Sequence, residues 1–590
     1  MKRFLLLTVI AAAIGVPASA MTGDVNGDGT VNITDVNLVI NSILADSYST
    51  EADVNNDGTV NVSDVNQVIN LILGGGSQQD EIVPKEIALD FSDLTEPAER
   101  IPDDEDASDY GDYVENTSWS TSVNISFDGE TATVTGNPST VMVSIEGAHV
   151  TVTSTAKRVR YVVTGSTPNG SLKFYSERKF QLLLNGADIT NPNGAAINVQ
   201  GTVLEPNKGK RTFVVVNGDN ALFDGETYGD TPSGEDEKAT FFSEGQLIFS
   251  GSGTLSVDAI GKSGIASDDY IVIQSSNINV SVSSNAYYDE ADAEYKSPAG
   301  IKTNDYFSMK GGSLIISSSG TGCKGISSDG NGYFSGGSVG VVVTGSNHGS
   351  SGGWGGNSSD SKSAKGMKFD GDLYFSGSQV FVNCRNHEGI EAKGALTISD
   401  GEVYSTSSAD DAINSGGDFT ISGGYVCGYS SGNDGLDANG NFYIKGGVVY
   451  AIGARSPEVA IDANSEGGYK LYLTGGTLIA VGGLENGSSL TQSCYSAASY
   501  STSTWHALTI GADTYAFMTP TSGGTPLVVS GGTTPTLQSG VTVLGGTTHF
   551  ESWFYTDASV SGGNSVSLSS YSGGNGGGGG PGGGGGHGPF

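Results

Sequence analysis

Cysteine is scarce in this chain of 590 residues, and the four cysteines that occur are widely spaced. A set this small does not form the disulfide framework of a small secreted domain, and no two members have the CxxC spacing of a metal site. The four are Cys323, Cys384, Cys427 and Cys494. The sequence therefore excludes a disulfide-rich scaffold and a cysteine-based metal centre.

Positive charge is scarce as well. The chain has 27 Lys and Arg against 64 Asp and Glu, a net charge of -37. Such a surface repels nucleic acid and anionic membranes, and the most basic run, residues 157–160, is short. We therefore expect no nucleic-acid partner. The acidic excess has two readings: a soluble secreted surface, or carboxylates gathered to hold divalent cations.

Long hydrophobic runs are missing too, so no segment is expected to cross a membrane. Residues 1–20 have a basic start, a short apolar run and a small-residue exit ending at Ala20, which is typical of a secretory signal. We predict cleavage before Met21. The mature protein is expected to be secreted, and extracellular or associated with the cell surface.

The remaining chain is too long for one compact core, so several domains or an elongated stack are expected. Shifts in composition predict the boundaries. The predicted segments are a signal peptide at 1–20, a duplicated acidic cassette at 22–75, a linker at 76–85, a Gly/Ser/Thr-rich body at 86–571 and a disordered Gly-rich tail at 572–590.

The cassette contains DVNGDGTVNITD and DVNNDGTVNVSD, two copies of one twelve-residue loop, each followed by an apolar-periodic helix. In an EF-hand-type loop, calcium takes oxygens from positions 1, 3, 5, 7, 9 and 12, with Gly at position 6. Both copies have an oxygen-bearing residue at every one of these ligand positions, and Gly29 and Gly58 occupy position 6. The alternative is an Asp/Asn-rich turn without metal. The predicted calcium ligands are Asp24, Asn26, Asp28, Thr30, Asn32, Asp35, Asp53, Asn55, Asp57, Thr59, Asn61 and Asp64.

With Asp at position 12 and a loop directly before a single helix, the cassette resembles a type I dockerin. That resemblance implies calcium binding and a cohesin on a scaffold protein as partner. Dockerins of this type commonly present a hydroxyl pair at loop positions 10 and 11. Only half of each pair is present here, at Thr34 and Ser63.

The body contains a repeat. A small residue followed by an aliphatic one recurs at intervals of 23 residues, at Gly366, Gly389, Ala412 and Gly435. Behind each pair, alternation with period two predicts short strands that pair from one repeat to the next. A propeller needs longer blades, and a sandwich would not keep this register. The expected fold class is mainly β, a right-handed single-stranded parallel β-helix preceded by the small α-helical pair of calcium loops.

Acidic residues flank the repeated pair and are expected to form a ridge across neighbouring repeats. Carboxylates on strands about 4.8 Å apart repel by roughly 3 kcal/mol at an effective dielectric of 20, so the ridge requires a counter-ion. We predict calcium there; the alternative is a set of solvated turn residues. The predicted ligands are Glu388, Glu391, Asp411, Asp434 and Asp437.

A column of side chains on the following strand alternates with inward valines and is expected to face outward. Phe381, Tyr404 and Tyr450 belong to it, together with Cys427. Such a column predicts a platform for sugar rings. The alternative is that a loop or the carboxy-terminal segment covers it.

The segment FQLLLNGADITNPNGAAINV at residues 180–199, the repeated SGG and KGG turns and the Gly-rich tail resemble the secreted parallel β-helix family that binds polygalacturonate and cellulose. That family is similar in fold to calcium-dependent pectate lyases. The resemblance implies a carbohydrate-binding role with bound calcium.

Three functions remain open. The first is a non-catalytic module that binds plant cell-wall polysaccharide in polysaccharide breakdown and is tethered through the dockerin-like cassette. The second is a calcium-dependent polysaccharide lyase, for which Lys365, Lys368 and Lys393 are the candidate bases. The third is a cell-surface adhesin. We assign no catalytic residue.

Overall fold

The structure is a computed structural model. It describes residues 23–26, 33–45, 47–54, 59–61, 64–65, 68, 110–290, 292–349 and 361–573. The signal peptide, the linker and the Gly-rich tail lie outside these ranges. The chain divides into two compact units, Met1–Val83 and Pro84–Phe590.

The first unit is organised around helix α1, Ile33–Leu44. Val36 and Val39 are three residues apart on the helix and so share one face, which packs with Ala52 and Val68 into a small buried core. Asp64, Val65 and Val68 are also helical.

The second unit is mainly β. Among its described residues, short 3-10 helices lie at Tyr110–Asp112, Val114–Asn116 and Ser465–Gly467. The first twelve strands are β1 (Thr121–Asp128), β2 (Thr131–Thr135), β3 (Val141–Glu146), β4 (Ala148–Ser154), β5 (Val159–Thr167), β6 (Gly170–Ser176), β7 (Phe180–Thr190), β8 (Ile197–Gln200), β9 (Thr212–Asn217), β10 (Asp219–Phe223), β11 (Ala239–Ser243) and β12 (Leu247–Ser250). The next twelve are β13 (Thr254–Ala259), β14 (Ser263–Ser267), β15 (Ile271–Ile273), β16 (Asn277–Val282), β17 (Tyr287–Asp289), β18 (Glu294–Lys296), β19 (Ala299–Thr303), β20 (Tyr306–Met309), β21 (Ser313–Ser318), β22 (Lys324–Ser328), β23 (Asn331–Phe334) and β24 (Ser338–Val343).

The strands of the 23-residue repeats and those that follow them complete the unit. The former are β25 (Met367–Phe369), β26 (Leu373–Cys384), β27 (Ile390–Ala392), β28 (Leu396–Ser407), β29 (Ile413–Ser415), β30 (Phe419–Ile421), β31 (Tyr425–Ser430), β32 (Leu436–Ala438), β33 (Phe442–Ile444), β34 (Val448–Ile452), β35 (Leu471–Leu473) and β36 (Thr477–Val481). The latter are β37 (Ser489–Leu490), β38 (Cys494–Ala497), β39 (Trp505–Ile510), β40 (Asp513–Met518), β41 (Leu527–Ser530), β42 (Thr536–His549), β43 (Phe554–Val566) and β44 (Ser569–Tyr571).

These strands form a 26-stranded sheet, a 12-stranded sheet running from β3 to β32, a hairpin of β17 and β18, and a closed barrel in the order β39-β40-β43-β42. The predicted register between repeats is confirmed: Leu373 pairs with Leu396, Leu396 with Phe419, and Phe419 with Phe442, all in parallel. These side chains point inward and are fully buried.

The predicted fold class, a right-handed single-stranded parallel β-helix over residues 86–571, is wrong. The observed fold consists of the 26-stranded and 12-stranded sheets, the β17–β18 hairpin and a closed barrel whose strand pairs are all antiparallel. β41 also pairs with β36 and β38 in antiparallel fashion. The physical reason lies in residues 505–566: this stretch has no small-aliphatic pairs at the 23-residue interval, so its strands close on each other instead of extending the repeat.

At Gly325 and Gly366, the first position of the repeated pair has no room for a side chain because neighbouring strands approach closely, whereas Ala412 fills that position in a later repeat. A Cβ on Gly325 would lie 2.2 Å from Val341 Cγ1 and 2.5 Å from the carbonyl oxygen of Gly366. A Cβ on Gly366 would lie 2.2 Å from the carbonyl oxygen of Gly389. Because these contacts involve backbone atoms, a side chain would force the strands of the 12-stranded sheet apart.

Candidate functional site

The first calcium-type loop begins beside a buried carboxylate. Asp35 is fully buried, and its Oδ1 accepts the N–H groups of Val25 at 2.8 Å and Asn26 at 3.1 Å. The last ligand position of the loop is thereby held against the first three residues. Asp28, Thr30 and Asn32 lie outside the described residues.

The second loop is held in a related way. Asp64 is fully buried, and its Oδ2 accepts the N–H of Asn61 at 2.8 Å. Tyr48 donates its hydroxyl to Asp53 Oδ2 at 3.0 Å, and Asn61 Nδ2 donates to Thr59 Oγ1 at 2.9 Å. Asn55 and Asp57 lie outside the described residues.

The acidic ridge of the second unit contains a compact group of three carboxylates. Oxygens of Asp434, Asp437 and Asp462 lie within 4.8 Å of one another. Asp437 is in β32, and Asp434 lies two residues before the first residue of that strand. Asp462 follows the bridge that joins Leu436 to Ile461. The parallel pairing of successive repeats therefore brings these side chains together. Asp462 is not among the ligands predicted from the sequence.

Asp411 and Asn414 connect this group to the preceding repeat. Asn414 Nδ2 donates to Asp411 Oδ2 and to Asp437 Oδ2, each at 3.0 Å. Asp411 Oδ1 also accepts the N–H of Asp434 at 3.2 Å. Both carboxylates are thus fixed in position by one amide. We name Asp411, Asp434, Asp437 and Asp462 the aspartate cluster.

The aspartate cluster has an unfavourable electrostatic environment without a cation. Burial, followed by the effect of neighbouring carboxylates, raises the pKa of Asp411 to about 7 and that of Asp434 to about 9, and the pKa of Asp437 is also well above its usual range. No ion pair among the described residues involves any of the four carboxylates. An all-oxygen donor set of this kind fits a hard cation such as calcium.

Glu485 adds a further acid at the edge of the cluster. It hydrogen-bonds to Asp462, and burial raises its pKa to about 8. A hydrogen bond between two carboxyl groups requires a proton on one of them, whereas a bound cation removes that requirement.

Glu388 and Glu391, the other predicted ligands of the ridge, lie in a different environment. Lys365 Nζ is 3.2 Å from Glu388 Oε2 and 2.6 Å from Glu391 Oε2. Glu388 also contacts His387, whose Nδ1 is 3.0 Å from Asp410 Oδ2. A lysine thus compensates these two glutamates, and the structure does not bring them together with the aspartate cluster.

Two groups of polar residues were not found from the sequence. Asp236, Glu244 and Asp268 have carboxylate oxygens within 4.8 Å of one another, and Lys238 Nζ lies 2.8 Å from Asp236 and 2.6 Å from Asp268. Lys324 is buried, donates to Ser297 Oγ at 2.7 Å, and has a pKa lowered to about 7 by burial and then by neighbouring lysines. The acidic group falls in no repeated sequence column. Lys324 directly precedes Gly325 and so continues the column of Lys365 and Glu388, and this position is the signal that could have found it.

The column of aromatic residues predicted as a sugar platform is buried. Tyr450 is fully buried, and its ring centroid lies 5.6 Å from that of Phe517 in β40 and 5.8 Å from that of Phe554 in β43. Tyr404 lies 5.8 Å from Phe550, and Phe381 packs in the same hydrophobic core. The closed barrel covers the column, as the alternative interpretation held, and the rings offer no face to a sugar.

The lysines considered as bases of a lyase are held in ion pairs. Lys365 contacts the two glutamates above, while Lys368 and Lys393 lie 2.8 Å and 3.0 Å from Asp370 Oδ1. A charged lysine in an ion pair is a poor proton acceptor.

None of the helices in the described part of the chain is long and apolar enough to cross a membrane.

Residues 22–73 match the family model described as dockerin type I domain. Residues 146–435 match a model described as carbohydrate-binding domain-containing protein. No curated protein matches the chain.

Among solved structures, the chain matches one titled "Structure of the polysaccharide lyase-like protein from C. thermocellum, Gadolinium derivative". The identity is 17%, the alignment covers 58% of this chain and 99% of that one, and the TM-score is 0.29. A TM-score this low does not confirm a pectate-lyase-like fold. The chain is therefore similar to type I dockerins at its amino-terminal end and to carbohydrate-binding domain proteins over residues 146–435.

Proposed function

We propose that this chain is a secreted, non-catalytic protein that binds plant cell-wall polysaccharide with calcium and attaches through its dockerin to a cohesin-bearing scaffold. The two family matches support a dockerin joined to a carbohydrate-binding unit. Its role is in polysaccharide breakdown, where it holds a complex on the polymer.

The observation that carries the calcium part of the proposal is the aspartate cluster. Asp411 and Asp434 are buried, and Asn414 bonds both Asp411 and Asp437. Oxygens of Asp434, Asp437 and Asp462 lie within 4.8 Å of one another, and no lysine or arginine is paired to the cluster among the described residues. Calcium would relieve their mutual repulsion. A polyuronate is itself anionic, so a bound divalent cation would also allow an acidic protein to approach an acidic polymer.

In the dockerin, calcium would be held by the twelve predicted loop residues. Asp35 and Asp64 are the buried carboxylates at position 12 of each loop, and their hydrogen bonds to the loop backbone support this role. Type I dockerins bind cohesins, so we expect a calcium-dependent complex with one.

Sedimentation of the mature chain with pectic acid and with cellulose, in calcium and in chelator, tests the proposal. Asp434→Asn/Asp437→Asn should weaken calcium-dependent binding to pectic acid, because it removes two cation ligands. Asp513→Asn is the matched control, since Asp513 is exposed in the barrel.

The same samples are monitored for the ultraviolet absorbance of unsaturated uronates. A steady increase would replace the proposed binding role with a lyase. Binding to neither polymer would refute the proposed function, and equal binding in calcium and in chelator would refute its calcium part.

A further inference from the structure

One outer face of the 26-stranded sheet carries a continuous row of uncharged side chains. Each member points outward from its strand, and each pairs directly with the next one across the sheet. We name this row the tyrosine strip. Its members are Tyr333 in β23, Tyr374 in β26, Thr397 in β28, Thr420 in β30, Tyr443 in β33 and Tyr472 in β35.

The tyrosine rings of each pair in the strip lie in nearly parallel planes. The centroids of Tyr333 and Tyr374 are 5.5 Å apart with 4° between the ring planes, and those of Tyr443 and Tyr472 are 5.1 Å apart with 12° between the planes. Tyr306 extends the first pair at 5.9 Å from Tyr333. The two pairs are separated by the two threonines.

The strip is open to solvent, whereas equivalent positions elsewhere are covered. In earlier strands the same column holds Phe213, Ile248 and Val272, which are buried beneath Trp119 and its neighbours. Tyr333 is 37% exposed, and the other three tyrosines are partly exposed. No element among the residues that the structure describes forms a hydrophobic core over these four rings.

The charge of the strip differs from that of the whole chain. None of its six members is ionised at neutral pH, although the net charge of the chain is -37. Along one side runs a row of exposed serines, Ser335, Ser376, Ser399 and Ser422. Tyr374 donates its hydroxyl to Asp372 Oδ2 at 3.0 Å, which fixes the ring position.

We propose that the tyrosine strip is a docking surface for a neutral polysaccharide chain. The inference rests on the proposed carbohydrate-binding function and assigns it a surface distinct from the aspartate cluster. Apolar C–H faces of sugar rings would stack on the tyrosines, and the threonine and serine hydroxyls would hydrogen-bond the sugar hydroxyls. A neutral polymer suits this surface because none of its six members carries a positive charge to compensate a row of uronate carboxylates. Lys445 lies at one end, 4.9 Å from the Tyr443 ring centroid.

The length of the strip determines how long an oligosaccharide must be to contact both tyrosine pairs. Six strands at about 4.8 Å separation extend over about 24 Å from Tyr333 to Tyr472. The polymer must lie across the strands to contact both tyrosine pairs. Affinity should therefore increase with oligosaccharide length until both pairs are occupied.

The test compares Tyr374→Ala/Tyr443→Ala with the wild-type mature chain. The probes are cellulose, a series of soluble β-glucan oligosaccharides from two to six sugars, and pectic acid with calcium. We expect loss of each ring to weaken binding to cellulose and to the longest oligosaccharide by roughly 2- to 10-fold, with binding to pectic acid unchanged.

Two control variants keep the test independent of folding. Tyr374→Phe/Tyr443→Phe retains both rings and should retain cellulose binding. Tyr288→Ala removes an exposed tyrosine in the β17–β18 hairpin, away from the strip, and should also bind as the wild type does. Thermal unfolding of each variant confirms that the sheet is intact.

The outcomes separate this inference from the proposed function. If the wild type binds pectic acid with calcium but no neutral polymer, the strip inference is overturned while the proposed function stands. If neutral polymers bind equally well to the wild type and the folded alanine variant, the inference is likewise overturned. Binding to neither polymer removes the proposed function as well.

Discussion

His549 Nδ1 lies 2.9 Å from Glu402 Oε2, although 147 residues separate the two in the chain. Glu402 is in β28 and His549 ends β42, so this contact joins the repeats to the closed barrel. The other oxygen of Glu402 accepts the N–H of Phe550 at 2.8 Å, and the His549 ring stacks on Tyr425 with 3.8 Å between centroids. One carboxylate thus fixes the end of β42 on the sheet.

Replacing Glu402 with Ala should loosen this contact. The variant leaves the buried N–H of Phe550 without its acceptor, so we expect the free energy of unfolding to fall by about 2 kcal/mol. Urea unfolding measures the change, and Asp513→Ala, an exposed acid of the same barrel, should change it little. Equal stability of the two variants would show that the contact is incidental.

The buried aromatic column should contribute to stability rather than to polymer binding. Tyr450→Ala removes a fully buried ring and should cost about 3–5 kcal/mol of unfolding free energy. Tyr450→Phe keeps the ring but loses the 2.6 Å hydrogen bond to the carbonyl oxygen of Met518, at about 1 kcal/mol. Polymer binding per folded molecule should not change in either variant. A loss of binding in fully folded Tyr450→Phe would contradict this role.

The aspartate cluster should make the calcium-free protein less stable as pH rises. Asp434 has a pKa raised from 3.8 to about 9, so between these values the folded state binds more protons than the unfolded state. The free energy of unfolding in chelator should therefore fall from about pH 4 to about pH 9, and Asp434→Asn should flatten that fall. Added calcium should stabilise the wild type most above neutral pH. A pH profile that is the same for Asp434→Asn and the wild type would contradict the prediction.

The contribution of Lys324 to the free energy of unfolding should change with pH in the opposite direction. Burial lowers its pKa from 10.5 to about 7, so between these values the unfolded state binds more protons. Its contribution should make the protein more stable as pH rises from about 7 to about 10, and Lys324→Met should remove that increase while stabilising the protein at pH 6. Lys208→Met, at an exposed lysine, serves as the control. If both variants follow the wild-type profile, the Lys324 ammonium is not desolvated in solution.

Sequence periodicity predicted the cross-strand register but not which outward column remains open. Tyr374 follows the inward Leu373 and Tyr404 follows the inward Val403, so the two columns look alike in the sequence. What buries Tyr404 is Phe550, which lies in a segment without the repeat and far along the chain. Alternation of residue types along a strand predicts which side chains point away from the core. It does not predict whether a second layer of the protein packs over them.

The ridge shows the same limit for charge. Glu391 and Asp437 occupy one sequence column, and the column was interpreted as a single metal-binding row. The structure divides it because Lys365 in the preceding repeat reaches the glutamates, while Asn414 connects the aspartates. Such a division depends on the length and direction of individual side chains, which strand register does not determine.

The 23-residue register has a consequence for how such a chain can change length. Duplication of one whole repeat would preserve every inward residue and every glycine contact, and would add one more outward position to the tyrosine strip. An insertion of a single residue within a strand would instead turn its inward side chains outward. Each added repeat would therefore lengthen the strip by one strand spacing, about 4.8 Å. The number of repeats encoded in the gene would thus determine the length of glycan that the protein holds.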